Sequence, residues 1–459
     1  MDIERRVSGR INTDGQSKAS VIVIAAYALL TLALLPRLSL WLDESIDLLG
    51  TQNASFGSIV EYASTNPGGA PVWYLTQALA TTLLGYSTFA ARLPACLASI
   101  LSCCGIALLA RRLGARWPAL CVAVFATFPL QFRYALEGRP YAEGLCLSIW
   151  ATLAFLRLIE NPVWRNAVWY WALILVGLYT QPFSVFIAVA HTMWALGNGR
   201  LPPKVRVLTV GALSLAGAGF VPWLVYARRN WKGNLPAGAA HIWHPGLLAM
   251  LLRECLGGGY LLTGLVMVAV LLGVRSQTLS TSMKKLMGLM ALVPVVLALL
   301  ADSWSGYFVA IRQMIFILPS LALLACAGLE HVAKTKSGRR AALAAAVVTV
   351  SLTHDVRWFF KPREDWKKAS DVTSQSARAG ACAVLAPERT AQIFLFYHPG
   401  LIRDLYGEGA DFSACSGVVV VMPDASPDWT NSIKRLTEAG FRRSRVVFAG
   451  PPTVRLLSR

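Results

Sequence analysis

A chain of 459 residues that is 55% hydrophobic, with a mean hydropathy of +0.52, is too apolar for a soluble globular protein. Its net charge of +19 would suit nucleic-acid binding, but the basic residues cluster between apolar runs, where Lys and Arg set the orientation of membrane proteins. The composition therefore sets nucleic acid aside as a partner and points to a polytopic membrane protein, spanned by helices because no run of short alternating strands marks a barrel.

The first apolar run, 19–40, is too long for a cleavable signal peptide, and no small-residue cleavage site follows it before Trp41. Ten further spans are predicted at 89–110, 117–132, 141–158, 168–180, 183–196, 205–226, 257–274, 286–301, 314–329 and 341–353, about eleven in all. With the N-terminus inside, every inner connection is basic, for example Arg111, Arg112 and Arg116, then Arg157 and Arg165. The apolar segment 71–84 is short and carries Thr76, Gln77, Thr81 and Thr82. Counting it as a span would turn every later basic loop outward, so it is expected as a juxtamembrane helix in the outer interface.

Beyond residue 353 the pattern changes. "REDWKKASDVTSQSARAG" and "SPDWTNSIKRLTEAG" read as helices, the second with Ser426 as N-cap and Gly440 as stop. "ACAVLA", "IFLFY", "GVVVVMP" and "SRVVFAG" read as short strands. The expected division is a polytopic all-α domain over 1–356 and a small α/β soluble domain over 357–459, outside the membrane. Cys382 and Cys415 lie by predicted strands there, either paired in an oxidising compartment or as two buried thiols. The other seven cysteines lie in or beside apolar segments, and no spacing suggests zinc.

Conspicuous polar residues gather at the outer ends of the spans. Asp43 and Glu44 follow the first; Arg133, Glu137, Arg139 and Tyr141 follow the third; Arg228, Arg229, His241 and His244 follow the seventh; Arg312 follows the ninth. Ionisable groups at membrane depth are costly, so their convergence points to function. Arginines on the outer side run against the orientation rule, and a phosphate at the lipid surface explains them through bidentate, charge-assisted hydrogen bonds. Carboxylates facing those arginines suit proton abstraction from a hydroxyl. Each part also has a plainer reading: an acid that caps a helix, a structural pair of Glu137 with Arg139, or solvated histidines at 241 and 244 rather than metal ligands. A divalent cation, Mg or Mn, between Asp43, Glu44 and Glu137 is a further option, although a monophosphate can be neutralised by Arg alone. The rival class is a lipid or solute transporter, which would place such groups near the midplane and show two related halves.

Taken together, "WLDES", "NPGGAPVWYLTQAL", "ARLPACLASI" and "EGRPYAEGL" resemble the GT-C membrane glycosyltransferases, in particular bacterial relatives of protein O-mannosyltransferases and lipid A aminoarabinose transferases. "PREDWKKASDV" resembles the start of the outer domain of bacterial members. The resemblance implies transfer of a sugar from a polyprenyl-phosphate donor to a glycan, lipid or protein acceptor on the outer, periplasmic side of a bacterial inner membrane. By position it makes Asp43 the base, with Glu44 completing the acidic pair. Glu137, Arg139 and Tyr141 become the second outer-loop element, and Arg312 a group facing the donor phosphate. The chain departs from the pattern at Asn66-Pro67-Gly68-Gly69-Ala70-Pro71, where many relatives carry a basic residue before two prolines. Phosphate binding would then lean on Arg139, Arg228, Arg229 or Arg312.

Overall fold

A computed structural model describes residues 13–66, 69–231, 247–256, 259–305, 311–332, 337–360, 364–385, 391–406, 411–422, 428–450 and 452–459. The helices before the first strand are α1 (Thr13–Leu34), α2 (Leu42–Gly50), α3 (Phe56–Thr65), α4 (Pro71–Leu84), α5 (Thr88–Arg112), α6 (Pro118–Ala126), α7 (Pro129–Ala135), α8 (Tyr141–Glu160) and α9 (Trp164–Thr180). They continue as α10 (Val185–Gly197), α11 (Pro203–Asn230), α12 (Leu247–Cys255), α13 (Tyr260–Arg275), α14 (Thr281–Ser305), α15 (Leu318–Val332), α16 (Ser337–Phe360) and α17 (Trp366–Arg378). The remainder is β1 (Ala381–Leu385), α18 (Ala391–Tyr397), β2 (Leu405–Tyr406), β3 (Gly417–Met422), α19 (Asp428–Glu438), β4 (Arg443–Phe448) and β5 (Thr453–Ser458).

The chain divides into two compact units. One comprises Met1–Leu35, Ser55–Gly85 and Ala90–Phe359; the other comprises Pro36–Ala54, Tyr86–Phe89 and Phe360–Arg459.

The first unit is a helical bundle. Among the described residues six helices are long and apolar enough to cross a membrane, and a bent pair, Ala249–Cys255 with Tyr260–Arg275, raises this to seven. The other expected spans coincide with α6–α7, α9, α10 and α16, which that measure leaves out. The expected span 117–132 is two helices in tandem, because Pro129 lacks the N–H that would continue α6 and instead starts α7 at a position that favours proline. The span ending at Val332 is 89% buried, against 22% for the one starting at Gly15. So α15 is central, and α1 is peripheral with Val21, Ile22 and Leu29 exposed.

Backbone approach at glycine sets the tightest contact, between α13 and α15. A Cβ at Gly273 would lie 1.9 Å from the Leu324 carbonyl oxygen, and one at Gly328 would lie 1.9 Å from that of Ala269. Small residues let membrane helices meet in this way. Helix α4 matches its sequence prediction at both ends; Trp73, Tyr74 and Gln77 are buried, while Leu79, Leu83 and Leu84 are exposed. The turn before it is pinned to α11, since Trp223 Nε1 donates to the Gly69 carbonyl at 3.2 Å.

The second unit is built on a five-stranded sheet of order β2-β1-β3-β5-β4. β1 runs parallel to β2 and β3, and β5 lies antiparallel between β3 and β4. The run GVVVV of β3 is buried on both faces: Val419 and Val421 pack with Trp366 and Phe394, and Val418 and Val420 with Phe441 and Leu457. The predicted strand "IFLFY" is instead helix α18. A short run apolar on all sides does not distinguish the two states, and packing decides: Ile393 and Phe394 enter the core beside Trp366, while Tyr397 packs at its edge and accepts a hydrogen bond from the Leu40 N–H. Strand β5, with Val454 and Leu457 buried, is an addition to the predicted set.

On α17, Asp371 accepts from Lys367 Nζ at 3.2 Å and lies 2.7 Å from His398 Nε2. Partial burial works to raise its pKa, but these two hydrogen bonds outweigh it and hold the carboxyl below its ordinary value.

Cys382 and Cys415 are joined as a disulfide. Peptide mapping without reductant is expected to recover them as one linked species, and Cys382→Ser is expected to lower the stability of this unit by about 2–4 kcal/mol.

Candidate active site

The acidic pair lies at the start of α2. Carboxylates in a first turn interact favourably with the helix dipole, and Glu44 reaches back so that its Oε2 accepts from the Trp41 N–H at 3.2 Å. Glu44 is buried, while Asp43, one residue earlier, is half-buried. Asp47, four residues after Asp43 and hence on the same side of the helix, is 5% exposed. The second unit supplies the bed for this helix. The Leu40 N–H donates to Tyr397 Oη at 2.8 Å, the Lys367 N–H to Ser39 Oγ at 3.1 Å, and Tyr86 Oη to the Leu48 carbonyl at 2.5 Å.

A second cluster lies within the helical bundle. Arg133 Nε donates to Glu137 Oε1 at 2.9 Å, one helical turn away, and Glu137 is buried. The Arg139 N–H donates to the Glu137 carbonyl at 2.8 Å, closing the turn before α8. Tyr141, the first residue of α8, has its ring 4.8 Å from that of Tyr134, and the Arg312 guanidinium lies 5.6 Å from its centroid. Arg312 is therefore brought to the α7–α8 element across a sequence separation that local pattern alone does not bridge. Glu137 thus has Arg133 as an ion-pair partner, one that the plainer reading above did not name.

Two acids escaped notice in the sequence. Asp47 could have been found from its i, i+4 spacing to Asp43. Glu143, 8% exposed, accepts from Thr76 Oγ1 at 3.0 and 3.3 Å, which ties α4 to α8. Arg228 and Arg229 lie exposed in the last turn of α11, and among the described residues no hydrogen bond or ion pair joins them to this cluster. His241 and His244 lie outside the described residues. Among the described residues no group of three or more His, Cys, Asp or Glu is arranged to hold a metal ion.

The architecture that carries these residues has known counterparts. A crystal structure of ArnT from Cupriavidus metallidurans bound to undecaprenyl phosphate superposes with a TM-score of 0.61 at 15% identity, over 95% of this chain and 97% of that one. The chain has the GT-C fold. An Archaeoglobus fulgidus oligosaccharyltransferase tethered to an acceptor peptide shares it at a TM-score of 0.53 and 12% identity, over 82% of this chain and 63% of that one. Residues 67–226 match the sequence model of the dolichyl-phosphate-mannose-protein mannosyltransferase family. No curated protein sequence matches the chain. Within the GT-C frame the matched segment includes Thr76, Glu137, Arg139, Tyr141 and Glu143, while Asp43 and Arg312 lie outside it.

Proposed function

We propose that this GT-C protein is a membrane glycosyltransferase that moves a sugar from a polyprenyl-phosphate donor to an acceptor hydroxyl on the periplasmic side of a bacterial inner membrane. The observation that carries the proposal is the cluster of Arg312, Tyr141, Glu137 and Arg139, on a fold shared with a transferase bound to a polyprenyl phosphate. The acceptor oxygen attacks the anomeric carbon. The bond from that carbon to the phosphate oxygen breaks, and polyprenyl phosphate departs with the electron pair. Asp43 takes the acceptor proton, and Arg139 and Arg312 neutralise the leaving group. A single displacement of this kind inverts configuration. Arginine suits the donor because its planar fork matches phosphate geometry and stays charged at any working pH. Glu44, engaged with the Trp41 backbone, serves mainly to hold the base-bearing turn in place.

The test is incubation of the purified full chain with radiolabelled polyprenyl-phosphate sugars and a membrane extract. Label is expected to pass to an acceptor, with inverted configuration at the anomeric carbon. Failure of every donor to transfer, with labelled lipid crossing proteoliposome membranes instead, would favour a transporter. In the same assay Arg312→Gln is expected to raise the donor KM about 10–100-fold, the worth of one charge-assisted hydrogen bond of ~1.5–3 kcal/mol.

A further inference from the structure

A second site of a different kind lies at the other ends of the α5 and α8 helices. A cavity of ≈ 870 Å³ opens between α5, α8 and α9, and four arginines line it: Arg111, Arg112, Arg157 and Arg165. Arg112 is bound bidentately by Glu160, which ties the end of α5 to the end of α8. The other three are exposed and form no ion pair among the described residues. Arg111 and Arg157 close helices whose dipoles favour a cation there. Arg165 does not: it sits in the first turn of α9, where the dipole opposes a positive charge. Such an arrangement is satisfied by an anion shared among the three.

The remaining lining says what kind of anion. Leu108 and Trp150 lie one to two turns further inside their helices than the arginines, and Leu173 lies eight residues beyond Arg165, about 12 Å deeper along α9. Leu108 and Trp169 line the cavity yet remain 43% and 65% exposed, which leaves apolar surface running inward beneath the charges. A soluble phosphate would meet only the arginines. A phosphodiester carrying acyl chains would meet both layers, and basic pockets between membrane helices bind such head groups.

We infer that this cavity is a binding site for one anionic phospholipid, its phosphodiester held by Arg111, Arg157 and Arg165 and its chains against Leu108, Trp150 and Leu173. The site is separate from the Arg312 cluster, and it does not depend on the transferase reading. It is tested on the purified full chain by native mass spectrometry, with phosphatidylglycerol and phosphatidylcholine as probes and inorganic phosphate as competitor. The variant is Arg111→Gln/Arg157→Gln/Arg165→Gln, with Arg112 left in place to hold α5 to α8. The wild-type chain is expected to retain one phosphatidylglycerol and no phosphatidylcholine. The variant, with an unchanged thermal unfolding profile, is expected to bind on the order of 100-fold more weakly. Equal retention of phosphatidylcholine, undiminished binding by a folded variant, or displacement of the lipid by millimolar phosphate would each overturn the assignment. If the triple variant unfolds, Arg165→Gln alone decides: it should weaken retention about tenfold, and no change would refute the site.

Discussion

Asp43→Asn is expected to reduce sugar transfer by about 10³-fold or more, at the upper part of what loss of a general base produces. The substitution keeps the size and shape of the side chain and removes its ability to accept a proton. The share that the helix dipole supplies to such a first-turn acid, about 0.3–1 kcal/mol, is small beside the loss of turnover. Helix α2 keeps its other supports, the hydrogen bonds to Tyr397 and from Tyr86. Donor binding, measured by tryptophan quenching or lipid retention, should therefore survive while turnover disappears. Glu44→Gln separates the two neighbouring carboxylates. It weakens the acceptor for the Trp41 N–H, so its main effect should be a loss of stability of about 0.5–2 kcal/mol with transfer largely retained. Full turnover in Asp43→Asn, or an equal loss of turnover in both variants, would remove Asp43 from its proposed role.

The largest expected effect on the fold is at Gly328. Adding a single methyl there sets a carbon 1.9 Å from the Ala269 carbonyl oxygen, and that oxygen belongs to a helix backbone that cannot swing aside as a side chain would. The helices must separate along the contact that also includes Gly273 and Leu324, at a cost of about 4 kcal/mol or more, the extreme end for one substitution. Gly264→Ala is the matched control: the same chemical change on α13, with nothing within 4 Å of the added carbon. It should stabilise its helix by up to about 1 kcal/mol. Thermal unfolding of the detergent-solubilised chain, followed by fluorescence-detected size exclusion, should show Gly328→Ala collapsing at far lower temperature than the wild type and Gly264→Ala at or above it. Equal behaviour of the two variants would mean that the α13–α15 contact is softer than its geometry implies.

How much of this was legible in the residues depended on the range of the interaction that fixes each feature. Helix α4 could be bounded at Pro71 and Leu84 because proline at its start and the glycine after its end are local signals. The break at Pro129 was masked by apolar residues continuing on either side, and "IFLFY" was misread because only its packing against Trp366 selects a helix. The acidic pair at Asp43 stood out beside an apolar run, and Arg312 stood out within one. Glu143 did not, because its partner Thr76 is 67 residues away and on another helix. The disulfide was legible only as an alternative, since two cysteines near strands pair only if the strands neighbour one another, as β1 and β3 do.

The bed of helix α2 has a practical corollary for anyone recombining this chain with its relatives. Tyr397 and Tyr86 grip the backbone around residues 40–48, so residues 36–54, 86–89 and 360–459 constitute one discontinuous cassette. A chimera that exchanges the carboxy-terminal hundred residues alone would present a foreign surface to the native acidic turn. Only a three-segment graft transplants the turn together with its own cradle.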